Sequence, residues 1–414
     1  MKKLFTVVLA AILIATVMGC TSEQKEKKLT VYMLTENEEL VDTIQSFAKD
    51  NPEVSLSFEF GIEDTFKTPS EAKKELNVRL MAGNGPDVII LDDMNAESYA
   101  KTGQLSDITE IISEKESALP PKVKENYQVQ GKLYYMPLAV SLISQSWSQN
   151  EVIDFSTLKS FVESIRSQGL DIKGMSYDNL SAIIYRTEIE PYIFESGAAE
   201  KKILRQFYLD LEKLMRLYDG EIDFASYEQT NLKVNRLKSY FNLLDGESDA
   251  AVDYIDTIFD AQSLYSLKRG QQIEFQFRKK EARYSYIPQG VISIAAQSDN
   301  KAEAERLIRY LFSEKGQVEL LERRLIPIDL QVLEESFQTE HQYDINGKVT
   351  ICPWEKSDEK NFINIMEHLD EPLLADANLM EIIMGGAMAY LNGETSLDEA
   401  LDNTMNKMEI YLAE

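Results

Sequence analysis

The chain has 414 residues, 44% of them hydrophobic, and a formal net charge of −27. That length suffices for two domains, and that apolar content excludes a disordered polypeptide. The negative field makes nucleic acid and anionic lipid headgroups poor partners.

Lys2-Lys3, an apolar run over residues 4–18 and Gly19 before Cys20 describe an export signal, since the run is too short to cross a bilayer comfortably. Residues 21–28 are polar and aperiodic, as a tether would be. Residues 29–34 read as a strand, 35–37 as a loop, and Leu40, Val41, Ile44, Phe47 and Ala48 recur at helical spacing up to Asn51-Pro52. Residues 54–60 alternate like a strand, and Ser70 is positioned to cap a helix carrying Ala72, Leu76 and Leu80. Gly83-Asn84-Gly85-Pro86 then reverses the chain into Val88-Ile89-Ile90-Leu91, a wholly apolar run expected to be a buried parallel strand.

Strand, helix, strand, helix, strand within about 60 residues predicts an α/β fold with helices on both sheet faces. Residues 150–270 are mainly helical in pattern, most clearly Ile203, Leu204, Phe207, Leu211, Leu214, Met215 and Tyr218, with Gly220 as the stop. Residues 291–295 form a strand-like return before a helix over 302–312, and Ser396 to Glu399 is a capping box opening a last helix with Ala400, Leu401, Met405 and Met408 inward.

The chemistry-bearing residues are sparse in type. His341 and His368 lack metal-ligand spacing, and no G-x-x-x-x-G-K-[ST] loop occurs, so no metal or cofactor is expected. Cys352 reads as a packing residue without a disulfide partner. In open parallel sheets, ligands sit off the carboxyl ends of strands. That nominates Glu36 and Asn37 after the first strand, and Asp92, Asp93 and Asn95 after the third; Asp92 and Asp93 read equally well as a solvated turn.

Val17-Met18-Gly19-Cys20 resembles a bacterial lipoprotein lipobox, which implies removal of residues 1–19 and acylation of Cys20. Further stretches resemble the extracellular solute-binding proteins of ABC importers, in the maltose-binding branch of family 1. They are residues 80–89 (LMAGNGPDVI), 99–108 (YAKTGQLSDI), 131–138 (GKLYYMPL), 290–294 (GVISI) with Gln317 on the following helix, and Tyr390-Leu391-Asn392-Gly393 ahead of the last capping box. Their order and spacing carry the resemblance.

The resemblance implies a two-lobe, type II periplasmic-binding-protein-like α/β fold, each lobe a mainly parallel sheet flanked by helices. It places the first lobe at residues 29–139 and 288–325 and the second at 140–287 and 326–414. Hinge strands would cross at residues 136–141 and at the approach to Gly290, closing the lobes on a ligand. It implies a monomeric, non-enzymatic receptor, held outside the cytoplasmic membrane or in the periplasm by its lipid, that delivers a small solute, expected to be a saccharide, to permease subunits. Glu190-Pro191-Tyr192 matches a stretch whose Tyr lies against sugar rings in that branch, so Tyr192 and Glu190 become candidate contacts. Ser141 stands roughly where relatives carry a hinge acid, and Trp147-Ser148 where they carry Tyr-Asn. Met94-Asn95 replaces an Asp-Arg pair, while residues 258–259 and 380–381 replace Trp platforms. These departures leave the sugar's identity open and leave room for a sensor or adhesin on the same fold; a surface glycosidase using two carboxylates is a separate alternative, for which the many acidic residues give no specific signal.

Overall fold

The computed structural model describes residues 27–63, 67–115, 118–148, 153–172, 174–196, 200–218, 238–280, 283–337, 343–345 and 349–413. Cys20, the export segment and Gly220 lie outside the described residues. The strands that organise the fold are β1 (Lys27–Met33), β2 (Val54–Phe60), β3 (Val88–Ile90), β4 (Tyr135–Met136), β5 (Ala139–Trp147), β6 (Ala250–Ile255), β7 (Glu274–Phe277), β8 (Arg283–Gln289), β9 (Ile292–Ile294), β10 (Ile326–Pro327) and β11 (Leu369–Pro372).

Two sheets result. The first has the order β2-β1-β3-β9-β4, with β1 parallel to β2 and β3, and β9 antiparallel to both β3 and β4. β3 is buried at every residue, which is why its sequence is a short uninterrupted apolar run. Gly83, which turns the preceding helix into this strand, has φ 72°, a conformation glycine adopts without steric cost. The second sheet is built around β5, which pairs antiparallel with β6, β7, β8 and β10, while β11 joins parallel to β8. No helix among the described residues is long and apolar enough to cross a membrane.

Chain connectivity links the sheets in adjacent passes. β4 belongs to the first sheet and β5, two residues later, to the second; β8 belongs to the second and β9, two residues later, to the first. The passes lie side by side, with Ala139 opposite Gln289 and Val140 opposite both Pro288 and Ile326. Gly290 sits at φ 62° between them, and a Cβ there would come within 3.0 Å of Leu40 and 3.3 Å of Leu138.

Three local expectations need correction. Thr68, not Ser70, caps the helix Pro69–Met81: its side chain accepts from Glu71 N–H and Glu71 reciprocates. Proline at the first helical position costs nothing there, because that N–H has no helical acceptor. Within the stretch expected to be mainly helical, residues 250–255 form β6. Asp253 inside it masks the apolar pattern, yet its carboxylate is buried and accepts from Ser239 N–H at 2.6 Å and Tyr240 N–H at 2.9 Å. Cys352 is exposed instead of packed, because its backbone is tied to Ser266 and Gln262 while Trp354 supplies the nearby ring contacts with Tyr265, Phe337 and Phe362.

Candidate functional site

The loop after β3 meets the strand crossing. Asp92 accepts hydrogen bonds from Gly290 N–H and Val291 N–H, both at 2.8 Å. It therefore clamps the turn between β8 and β9. Burial pushes its carboxyl up to about 6, and the two N–H donors oppose the rise. Asp93 follows with φ 58°, a backbone state unusual outside glycine. That turn aims its side chain at the other half of the molecule, where Oδ1 lies 2.6 Å from Nη2 of Arg186.

Arg186 lies in a π turn, Tyr185–Ile189, inserted between the helices Tyr177–Ile184 and Glu190–Ser196. Single π turns of this kind recur at functional sites because the extra residue redirects neighbouring side chains. Burial works against the guanidinium charge, but Asp93, Tyr254 and Glu190 together more than offset it and hold the pKa above the usual arginine value. Glu190, one turn on, is fully buried; Oε1 accepts from Asp376 N–H at 2.5 Å, and Oε2 has no hydrogen-bond partner among the described residues. Burial drives its pKa well above the usual carboxylate value, against the pull of Arg186. Tyr254, at the end of β6, feels the same charges, and burial pushes its phenol up to about 12.

The helix Ala377–Leu391 starts against this cluster. Ala377 N–H donates to the Asp93 carbonyl at 2.9 Å, and Asp376 caps the helix by accepting from Asn378 and Leu379. Tyr411 donates to Asp376 Oδ2 at 2.5 Å, and Lys73 reaches across from the first-sheet half, hydrogen-bonded to the Tyr411 hydroxyl with its ammonium 4.3 Å from the ring centroid. Asn126 makes a further bridge to the Asp370 carbonyl at 3.0 Å.

Of the nominated residues, Asp92, Asp93 and Glu190 are brought together. Tyr192 is two residues beyond Glu190, half-buried and packed against the core. Ser141 lies in the crossing strand opposite Ile287, buried, with no partner for its hydroxyl among the described residues. Asn37 and Asn95 instead cap helices, accepting from Leu40 N–H and Ser98 N–H, both at 3.1 Å. Glu36 is exposed on the loop after β1. Trp147 is at the far end of β5, about 26 Å along the strand from the crossing at 3.3 Å per residue, and packs on Phe155 at 6.0 Å between centroids. Sequence reading missed Arg186, Tyr254, Asp376, Tyr411 and Lys73. Only Arg186 left a local signal: a cation one helical turn before Glu190.

Solved structures with this architecture span nearly the whole chain. The family 1 extracellular solute-binding protein of Alicyclobacillus acidocaldarius is 14% identical, with 94% of this chain and 98% of that chain covered at a TM-score of 0.51. The GacH receptor of Streptomyces glaucescens, solved unliganded and with acarbose, is 17% identical over 94% and 99% at a TM-score of 0.54. An ABC transporter solute-binding protein from Thermotoga lettingae, bound with alpha-D-tagatose, is 14% identical over 93% and 100% at a TM-score of 0.55. No protein-family model matches the sequence, and no curated protein does. At these identities the likeness defines architecture: the chain has the two-lobe α/β fold of family 1 extracellular solute-binding proteins.

Proposed function

We propose that this protein is an extracellular receptor, anchored through a lipid on Cys20, that captures a small solute between its lobes and passes it unmodified to an ABC permease. The lobes are residues 29–139 with 288–325, and 140–287 with 326–414. The observation that carries the reading is the ion pair between Asp93 and Arg186, made beside the strand crossing by groups from opposite halves of the molecule. A ligand whose hydroxyls take over the donors of Arg186 and the oxygens of Asp93 would contact both halves at once, and such contacts select the closed state. A saccharide fits this chemistry, since Tyr192 offers a ring face for sugar C–H groups and Asp93, Arg186 and Glu190 offer directed polar contacts.

A surface glycosidase is the weaker reading. Asp93 is ion-paired and Asp376 caps a helix, while Glu190 is fixed on a backbone N–H. No two of these carboxylates stand free as an acid and a nucleophile.

The test is thermal unfolding of the mature protein with a panel of mono- and oligosaccharides. A ligand at 100 times its Kd adds about 2.7 kcal/mol of stability. Tyr192→Ala should remove that increment; being half-buried, Tyr192 also supports the unliganded fold, so the increment and not the melting point is the readout. An undiminished increment removes Tyr192 from the site. Cleavage of any panel member by the purified protein overturns the receptor reading.

A further inference from the structure

A cavity lies away from the crossing. It has a volume of about 680 Å³ and opens between β7, the start of β8, the loop around Phe155, and the helices Ile258–Arg269 and Lys356–Glu367. That volume lies in the range of small-molecule sites, about 300–1,000 Å³. Phe155, Tyr265, Phe277 and Tyr284 supply aromatic walls, and none of the residues clustered around Asp93 lines it.

Its charge runs against the composition of the chain. In a protein of net charge −27, four basic side chains, Lys268, Arg269, Arg278 and Lys279, converge here with only two acidic ones, Asp154 and Asp358. Two of the cations are neutralised. Lys268 pairs with Glu274 at 2.9 Å, and Arg269 is held by Asp358 and by Glu355 at 3.5 Å. The other two are not. Arg278 is half-buried, and its guanidinium makes one hydrogen bond, to the Phe155 carbonyl at 3.3 Å, with no ion pair among the described residues. Lys279 rests over the Tyr284 ring at 4.1 Å without a carboxylate in contact among the described residues.

A guanidinium carries five donors in a fixed fork suited to carboxylate, sulfonate or phosphate oxygens. Desolvation lowers the Arg278 pKa, and the attraction of Glu188 and Glu371 offsets it only in part. The site therefore holds a partly desolvated cation, without a carboxylate in direct contact among the described residues, at the edge of an aromatic cavity. Of the two acids, Asp154 is engaged by Ser156 N–H at 2.8 Å and Asp358 by Arg269, so neither competes for Arg278.

We propose that this cavity is a second binding site, selective for a small organic anion with an aromatic or apolar body, its acidic head on Arg278 and Lys279 and its body between Phe155, Phe277 and Tyr284. The site is independent of solute capture at the crossing.

The experiment is titration calorimetry of the mature protein with naphthalene-2-sulfonate and with its neutral counterpart naphthalene-2-sulfonamide, at low and at high salt. The sulfonate should bind at least about tenfold more tightly, as expected of a charge-assisted bidentate contact. Arg278→Gln should weaken the sulfonate about tenfold or more and erase the preference. Lys279→Gln, at an exposed position that folding does not need, should weaken it about two- to threefold and flatten the salt dependence. Arg186→Gln should leave sulfonate binding unchanged. Equal affinity for the two probes, no binding at millimolar concentration, an unaltered affinity in both basic-residue variants, or loss of binding in Arg186→Gln would overturn the proposal.

Discussion

Alanine substitutions at the adjacent glycines Gly385 and Gly386 should change stability in opposite directions. Both lie inside the helix Ala377–Leu391. A Cβ on Gly385 meets nothing within 4 Å, so Gly385→Ala should stabilise by about 0.5–1 kcal/mol, the helix-propensity difference. A Cβ on Gly386 would sit 2.0 Å from Thr404 Oγ1 and 2.5 Å from the Tyr208 hydroxyl. Those groups cannot swing away. Both residues are buried, their hydroxyls are 2.9 Å apart, and Tyr208 also donates to the Ile383 carbonyl at 2.8 Å. Relief requires the helices Lys201–Met215 and Leu397–Ala413 to separate from Ala377–Leu391, breaking that hydrogen-bond pair in a dry interior. Gly386→Ala should cost about 3 kcal/mol, the upper part of the range for overpacking. Urea midpoints of the two variants decide it; a shift in the same direction for both contradicts the packing described.

Raising the pH from about 4 to about 7 should destabilise the protein. Asp92 and Asp253 are each pushed up to about 6 and Glu188 up to about 7, in every case chiefly by burial. Glu190, Asp260 and Asp376 are raised for the same reason. A carboxyl whose folded pKa exceeds its unfolded one retains a proton in the native state that the unfolded chain has released. Between the two pKa values the native state binds more protons, so stability falls as pH rises through that window, which for Asp92, Asp253 and Glu188 closes near pH 6 to 7. A tenfold change in an acid's ionisation constant on folding is worth about 1.4 kcal/mol, so the fall should be on the order of several kcal/mol. Mutual repulsion within a chain of net charge −27 acts in the same direction. Denaturant midpoints at fixed ionic strength from pH 4 to pH 8 test the sign. Glu188→Gln keeps an acceptor for Leu158 N–H, which Glu188 now binds at 2.5 Å, and should flatten the upper part of the curve. A profile that rises across this range would show these carboxyls to be ionised in the native state.

Much of the scaffold was legible because its cues are local. The apolar run at residues 88–91, the Gly83 reversal before it and the return near residue 292 each follow from burial or backbone freedom within a few residues. Asp253 shows the limit. A carboxylate inside a strand breaks the apolar run, so the stretch reads as part of a helical region until the Ser239 and Tyr240 N–H groups it serves are seen beside it.

The polar cluster at the crossing was only partly legible. Asp92, Asp93 and Glu190 were reached from strand ends and from a resemblance, but their roles were not. Asn37 and Asn95 have the same residue type and a similar place, and the chain uses both as helix caps.

The amino-acid sequence by itself determined the strand–helix alternation of residues 29–91 and the helices near residues 203–215 and 397–413, since periodicity, capping and turn chemistry act over fewer than about ten residues. Only tertiary structure decided which side chains meet. Asp93 and Arg186 are 93 positions apart, and Glu190 and the Asp376 amide 186. Contacts of that separation exist only after both sheets have formed and their crossing strands have set the halves against each other, and no local pattern encodes them.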